Sequence, residues 1–415
     1  MRKKKGKSLE ELIPDAELRN RVSEQLYSGR PLLAPGSVFS EMLQAMVNAT
    51  LDGEMHHFME EEKARESENR RNGYTEKVVR STSGELQIKT PRDRNGDHEP
   101  LLIGKRQREL SSGMDEIILS LYARGNSIDD IQYQLRQLYG LEMSTGLIST
   151  ITERVWEEVL SWQQRPLLPC YTVIYLDGIY YRAKHENKFV DRTIHTVYGV
   201  SADGQRDVLG LYLFDNEGAR NWAMVLEDLK KRGVETVLFF CVDGLSGFPQ
   251  AIDSVYPQAI VQRCIVHMIR TSTQLVAEKD LKKVCADLRK VYTAANEDQA
   301  KLALKEFGRK WDDKYKRIRP KWEENWVELM AFMDFGEHIR RMIYTTNPVE
   351  GLHRIMRKVT KSKGAWTSDR ALIKQLYLAL KHSEKSWKKQ AYNWKAIQEE
   401  LVEKFGDAFS KYLEK

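Results

Sequence analysis

Along the chain the spacing of apolar positions changes more than once, and each change predicts a different kind of element. Val38, Met42, Met46 and Leu51 recur at near-helical spacing, and a polar run follows to Arg71. Glu76–Lys89 then alternates about Ser83-Gly84, which predicts a β-hairpin, and Pro91-Arg-Asp-Arg-Asn-Gly96 predicts a charged, turn-rich connector. Between residues 113 and 160 the helical period returns. Met114, Ile117, Ile118, Leu121 and Tyr122 form one stripe, ended by Gly125. Ser127 is placed to cap a second helix carrying Ile131, Leu135 and Leu138, ended by Gly140. Ser144 is placed to cap a third, carrying Leu147, Ile148, Ile151 and Val155. Short helices with a tight Gly-bearing turn fit a helix-turn-helix, whose last helix would enter a major groove. An ordinary three-helix bundle fits the same pattern about as well.

From Tyr171 the period becomes that of strands. Tyr171–Leu176, Thr193–Val200 and Val208–Phe214, with an Asp203-Gly204 turn between the last two, predict an antiparallel meander. A helix follows over Ala219–Arg232, with Trp222, Val225, Leu226 and Leu229 on one face, and then the unbroken apolar run Val237–Val242, which predicts a buried strand. A short helix near Phe248–Val255 and a fifth strand at Ala259–Val261 complete the order βββαβαβ, hence a mixed sheet with helices packed on it. Residues 265–340 have no strand pattern and predict a helical insertion in which Trp322 and Trp326 are core residues. From Pro348 onward the chain is again helical, and basic.

Composition narrows the picture. A chain of 415 residues is too long for one core to be the default. With 41% hydrophobic and 30% charged residues it has the make-up of a soluble globular protein. No apolar stretch approaches the roughly 20 residues that cross a bilayer. The basic Met1–Lys7 leads into a polar helix pattern rather than an apolar core, so a signal peptide is not expected. Cys170, Cys241, Cys264 and Cys285 are scattered singly, which fits free thiols in a reducing compartment and a cytoplasmic location. A net charge of +6 says little, but its distribution says more. Between Gly351 and Lys389 eleven Lys and Arg face only Asp369 and Glu384, a local basic surface suited to a polyanion.

Candidate chemistry lies where carboxylates end apolar runs. Asp177 follows Tyr171–Leu176 and Asp243 follows Val237–Val242. A carboxylate there is costly unless it is paired, hydrogen-bonded or metal-bound. Two such residues on neighbouring strand ends could share hard cations. The plainer reading of each is a turn residue before glycine. That suits Asp203-Gly204 well, but suits Asp177-Gly178 and Asp243-Gly244 less, because apolar residues resume soon after. Glu350, in Thr345-Thr-Asn-Pro-Val-Glu-Gly351, sits where it could complete a capping turn after Asn347 and Pro348. Against that, Arg354, Arg357, Lys358 and Lys361 follow on the same helical spacing, which suits a metal beside a phosphate backbone. Cys264-x-x-His267 lacks the second ligand pair of a zinc site, so packing or a hydrogen bond near the site is the better reading. His56-His57 is read as helix surface.

Taken together these segments resemble a known family. Asp177 in Tyr-Leu-Asp-Gly, Asp243 in Val-Asp-Gly-Leu-Ser-Gly-Phe, Gln262-Arg-Cys-Ile-Val-His267 and the stretch Tyr344–Gly364 are similar to the Mutator-type DDE transposases of bacterial insertion sequences. Asn69–Tyr74, Pro91–Gly96 and the helix-turn-helix segment add to the likeness, which runs from about residue 36 to residue 385. One departure is visible: Pro348-Val349 and Gly351-Leu-His353 stand where family members more often have Ala-Ile before the Glu and Ser-Leu-Asn after it.

The resemblance implies an α/β ribonuclease H-like catalytic core with an all-helical insertion, preceded by mainly helical DNA-binding domains. The implied division is an N-terminal helical and hairpin region at 1–100, a helix-turn-helix domain at 101–165, core at 166–264, insertion at 265–342 and core with basic helices at 343–415. It assigns Asp177, Asp243 and Glu350 as catalytic metal ligands for Mg²⁺, with Mn²⁺ as substitute, and places Cys264 and His267 near the site. Arg354, Arg357, Lys358, Lys361 and Lys363 would hold DNA. The implied activity is cleavage at terminal inverted repeats followed by strand transfer, by two-metal phosphoryl transfer. The implied partners are double-stranded DNA, as transposon ends and target, and a second copy of the chain, with no membrane and a place on the nucleoid. A ribonuclease H-like nuclease without strand transfer and a catalytically dead DNA-binding regulator are the alternatives.

Overall fold

The computed structural model describes residues 8–413 apart from 30–35, 82–83, 109–112, 140–142, 186–187, 217, 245–246, 275, 345–346 and 362. The chain divides into two compact units, Met1–Arg154 and Val155–Lys415.

In the first unit, α1 (Leu9–Leu12), α2 (Ala16–Tyr27) and α3 (Val38–Ala64) precede β1 (Arg71–Ser81) and β2 (Gly84–Asp93). Asp15 and Ser37 open α2 and α3 by accepting hydrogen bonds from the N–H groups of Leu18 and Ser40. Val47 and Leu51 of α3 pack on Val79, Leu86 and Ile88 of the hairpin and on Ile103. The hairpin is longer than its alternation predicts. Pairing reaches Arg71↔Asp93, so Pro91 stands opposite Tyr74 inside β2 rather than in a connector. Both strands are edges, where a proline is tolerated.

Three helices follow: α4 (Gly113–Ala123), α5 (Ile128–Tyr139) and α6 (Thr145–Gln164). Gly125 makes the first turn with φ at 101°. Ser127 Oγ accepts from the N–H of Asp130 while the Asp130 carboxylate accepts from the N–H of Ser127, a reciprocal cap. Ser144 Oγ accepts from the N–H of Leu147 in the same way. Leu138, expected on the apolar stripe of α5, is instead 60% exposed. Gly140 lies outside the described residues.

The second unit is built on a mixed sheet. β3 (Cys170–His185), β4 (Lys188–Ser201) and β5 (Arg206–Phe214) pair antiparallel, and α7 (Ala219–Lys231), β6 (Thr236–Val242), α8 (Phe248–Val255) and β7 (Ile260–Arg263) follow. The strand order is β5-β4-β3-β6-β7, with β6 parallel to β3 and β7 parallel to β6. Trp222, Val225, Leu226 and Leu229 of α7 and Phe248 and Ile252 of α8 pack in one cluster with Ile174, Leu176, Phe240 and Val242 of the sheet. β3 does not stop at Asp177, as the apolar run alone would have it. Buried Ile179, Tyr181 and Ala183 alternate with exposed Tyr180, Arg182 and Lys184, so the strand continues to His185.

Helices α9 (Ile265–Thr273), α10 (Glu278–Tyr292), α11 (Glu297–Trp311), α12 (Ile318–Glu324) and α13 (Trp326–Met330) come next, then a 3₁₀ turn (Ala331–Asp334) and α14 (Glu337–Ile343). Trp322 is fully buried, its Nε1–H donating to Ser272 Oγ. Trp326 is only half-buried and donates to Glu297, so only the first of the pair is core. The chain closes with α15 (Asn347–Thr360), α16 (Asp369–His382), α17 (Glu384–Trp387), α18 (Trp394–Phe405) and α19 (Asp407–Ser410). α16 is buried from Leu372 to Leu380 and takes Lys374 with it, a cation that charge counting would put on the surface. No helix among the described residues is long and apolar enough to cross a membrane.

Gln262 at the end of β7 ties the sheet to the helices beyond it. Its Nε2 donates to the carbonyls of Arg263 and Leu329 at 2.7 and 3.0 Å, and its Oε1 accepts from the N–H of Phe332 at 2.8 Å, all out of contact with water. Gln262→Leu keeps the volume but strands these backbone groups, each costing about 1–3 kcal/mol. Urea unfolding of the full chain is expected to show a loss of about 2–4 kcal/mol. Stability equal to wild type would mean that the contact does not tie the two parts together.

Candidate active site

The parallel pairing of β3 with β6 ends at Leu176↔Val242. The next residues, Asp177 and Asp243, therefore stand side by side at the carboxyl ends of that pair, where α/β sheets place their sites. Asp177 remains in β3 opposite Thr196 of β4 and is 6% exposed. Strand alternation turns it away from Ile174 and Leu176, which face α7 and α8. Neither Gly178 nor Gly244 takes a positive φ, whereas Gly204 does at 81°. Of the chain's four Asp-Gly pairs, with Asp52-Gly53 inside α3, only Asp203-Gly204 has the left-handed glycine of a tight reversal.

α15 brings the remaining groups. Its buried side carries Val349, Leu352, His353, Met356 and Val359. His353 reaches between two strands: Nδ1 is 3.3 Å from Asp177 Oδ2, and Nε2 is 3.1 Å from Thr196 Oγ1. A carboxylate only accepts, so the tautomer with its proton on Nδ1 satisfies both contacts, Nε2 then taking the threonine hydroxyl's hydrogen. Glu350 precedes His353 by one helical turn. Its carboxylate is gripped by Arg270 of α9, at 2.6 Å for Nη1 to Oε1 and 3.2 Å for Nη2 to Oε2, and lies 3.6 Å from His267 Nε2. These contacts engage Glu350 with α9.

His267 lies between the acids. A hydrogen bond to Cys264 and the charge of that thiol, and only after them the attraction of Asp177 and Asp243, outweigh burial and push the imidazole up to about 9. Glu350 likewise raises the Arg270 guanidinium, through a hydrogen bond first and charge second. A cleft of ≈ 250 Å³ opens beside Asp243, lined by Arg263, Cys264, His267, Thr271 and Lys321 among others.

No group of three His, Cys, Asp or Glu among the described residues is spaced to hold a metal ion as the side chains stand. The chemistry of the donors nevertheless fits a hard cation. Asp177, Asp243 and Glu350 offer carboxylate oxygens of the kind Mg²⁺ prefers. Arg270 and protonated His267 now compensate the same negative charge, so they stand where a divalent ion would serve. Exchange of Arg270 for such an ion would free both Glu350 oxygens.

The other residues singled out in the sequence fall into two groups. Arg354, Arg357, Lys358 and Lys361 are exposed along α15, and none is paired with a carboxylate among the described residues. Lys363 differs: its Nζ donates to Gln375 at 2.7 Å and lies 5.9 Å over the Trp366 ring. Sequence reasoning missed Arg270 and His353. Each lies three residues beyond a residue already singled out, His267 and Glu350, hence on the same helix face. That spacing was the available signal.

Comparison with known proteins identifies the family. The family model described as transposase, Mutator family, matches residues 18–390. The transposase for insertion sequence element ISRM3 of Rhizobium meliloti is 36% identical over 400 residues, 94% of this chain and 99% of that one. A probable transposase for an ISRM3-like element of Sinorhizobium fredii matches with the same identity and coverage. The transposase for IS905 of Lactococcus lactis is 30% identical over 343 residues, 82% and 85% of the two chains.

The charge balance around His267 has a pH signature. Its folded value of about 9 exceeds the ordinary 6.5, so its contribution to stability is complete below about 6.5 and is lost as pH rises through about 9. In metal-free protein the His267 ring resonance is expected to titrate near 9, and Asp177→Asn should lower that midpoint. His267→Gln should flatten the stability profile over the same window. A midpoint at the ordinary value, unmoved by Asp177→Asn, would contradict the geometry.

Proposed function

Because the chain belongs to the Mutator family of transposases, we propose that it cuts DNA at the ends of an insertion sequence and joins the freed ends to new DNA. The single observation that supports this reading is that Asp177 and Asp243 follow the last β3–β6 pair while Glu350 lies 3.6 Å from His267, on which both aspartates also act. The fold class we infer is ribonuclease H-like. Its support is a meander of three antiparallel strands followed by two parallel ones, with an acid on each strand just past the last β3–β6 pair. On the same reading Asp177, Asp243 and Glu350 hold Mg²⁺, for which Mn²⁺ substitutes.

When bound, the cations supply activation of a water at the scissile phosphate and stabilisation of the leaving 3′ oxygen. The chain's own side chains do the positioning. His353, hydrogen-bonded to Thr196, fixes the rotamer of Asp177. Cys264 and His267 hold the α9 side of the site, and Arg270 balances Glu350 until a cation arrives. Arg354, Arg357, Lys358 and Lys361 take backbone phosphates along α15, with Lys363 at its end. Helices α4 to α6 act as a helix-turn-helix that reads the terminal inverted repeats, a reading supported by the Gly125 turn and the reciprocal Ser127–Asp130 cap. Joining two ends calls for a dimer, working on nucleoid DNA.

With labelled DNA carrying the element's inverted repeats and Mg²⁺, wild type is expected to give both cleaved and joined products. Asp177→Asn, Asp243→Asn and Glu350→Gln should keep end binding and lose both reactions by on the order of a thousandfold or more. Full activity in any one removes that residue from the triad. Cleavage without any joined product from wild type would make the chain a nuclease instead.

A further inference from the structure

A second cavity, of ≈ 470 Å³, is lined by none of the three acids. It is lined by Arg206, Arg341 and His338 together with Tyr175, Tyr344 and Tyr392, and no carboxylate lines it. Arg206 opens β5 and Arg341 lies in α14, and neither is paired with an acid among the described residues. His338 Nδ1 is 3.2 Å from Asn393 Nδ2. An amide nitrogen only donates, so Nε2 of that ring carries the proton and is a further donor. The floor is fixed, because Tyr175 is buried and its hydroxyl donates to the carbonyl of Met342 at 2.8 Å. The Tyr392 ring is 81% exposed.

The place of the cavity gives it meaning. Tyr175 precedes Asp177 by two residues on β3 and so lies on the same face of the sheet, about 7 Å along it. Asn347 and Pro348, in the first turn of α15 ahead of Glu350, line the cavity as well. Guanidinium donors without acidic partners select an anion. Accessible aromatic rings beside a cationic wall are the means by which proteins take unpaired bases by stacking. The size suits a small ligand rather than a duplex.

We propose that this cavity binds one unpaired nucleotide of the DNA strand entering the active site, its phosphate on Arg206 and Arg341 and its base against Tyr392 and Tyr344. The inference rests on the DNA-processing reading above, but needs neither the metal nor the acids. Free mononucleotide carries the same chemistry and is the alternative source.

The test measures binding by the full chain without divalent metal. The probes are a blunt duplex carrying one inverted repeat, the same duplex with a short unpaired thymidine tail, and free thymidine monophosphate. Wild type is expected to prefer the tailed duplex about tenfold, the equivalent of one stacked base. Arg206→Ala/Arg341→Ala and Tyr392→Ala should lose that preference while binding the blunt duplex within about twofold of wild type. Arg341→Ala alone, at an exposed position, is the variant of choice if the double one melts early. Equal binding of both duplexes by wild type overturns the proposal. So does an equal loss on both duplexes, which makes the arginines general backbone contacts. Stabilisation of wild type by thymidine monophosphate without a tail preference assigns the cavity to a free nucleotide instead. Because no cleavage is read, failure here leaves the metal-dependent chemistry standing, and an active Glu350→Gln leaves this cavity untouched.

Discussion

Negative charge gathered at one edge of a sheet is the constraint that organises the second unit. Asp177 is almost wholly buried within β3, and burying a carboxylate without compensation costs several kcal/mol. Asp243 stands beside it and Glu350 is brought in on α15, so the compensation must be supplied locally. In this structure it comes from α9, whose Arg270 and His267 face the acids, and from His353, whose ring meets Asp177. Each of these cations or donors belongs to a helix packed at that edge. The helices after β7 therefore serve the site as well as the core.

That arrangement explains features that are otherwise unconnected. β3 runs past its partner β6, which leaves Asp177 held on one side by β4 and open on the other. Gln262 anchors β7 to the 3₁₀ turn just before α14, so the chain that leads into α15 starts from a fixed point. α15 is amphipathic in the strict sense: its inner side carries Glu350 and His353 and its outer side carries Arg354, Arg357 and Lys358, none paired with a carboxylate among the described residues. The second cavity opens on the face of the sheet that carries Asp177, since Tyr175 and Asp177 stand two residues apart on one strand.

Much of this was legible in the chain itself, and what was not has physical reasons. β6 and α8 follow directly from an unbroken apolar run and a short amphipathic one, and their observed limits, Thr236–Val242 and Phe248–Val255, differ from expectation by no more than the first residue. The extent of β3 was misread because Asp177-Gly178 looks like a stop, although the alternation of Ile179, Tyr181 and Ala183 was there to be read. Burial of single side chains was less legible. Leu138 lies exposed on an apolar stripe and Lys374 lies inside a helix buried on nearly all sides, because burial depends on neighbours that local spacing does not reveal. Among site residues the three acids were visible by their cost at the ends of apolar runs or by likeness to the family. Arg270 and His353 became meaningful only once α9 and α15 had been brought to the sheet.

On the proposed reading Asp177, Asp243 and Glu350 together hold the divalent cations, and binding displaces Arg270 from Glu350. Loading the metal-free protein with Fe²⁺ and generating hydroxyl radicals with ascorbate tests it directly, because the backbone is cut close to the bound ion. The account predicts cuts near residues 177, 243 and 350 together, all suppressed by excess Mg²⁺. Cuts at the first two with none near Glu350 would contradict it.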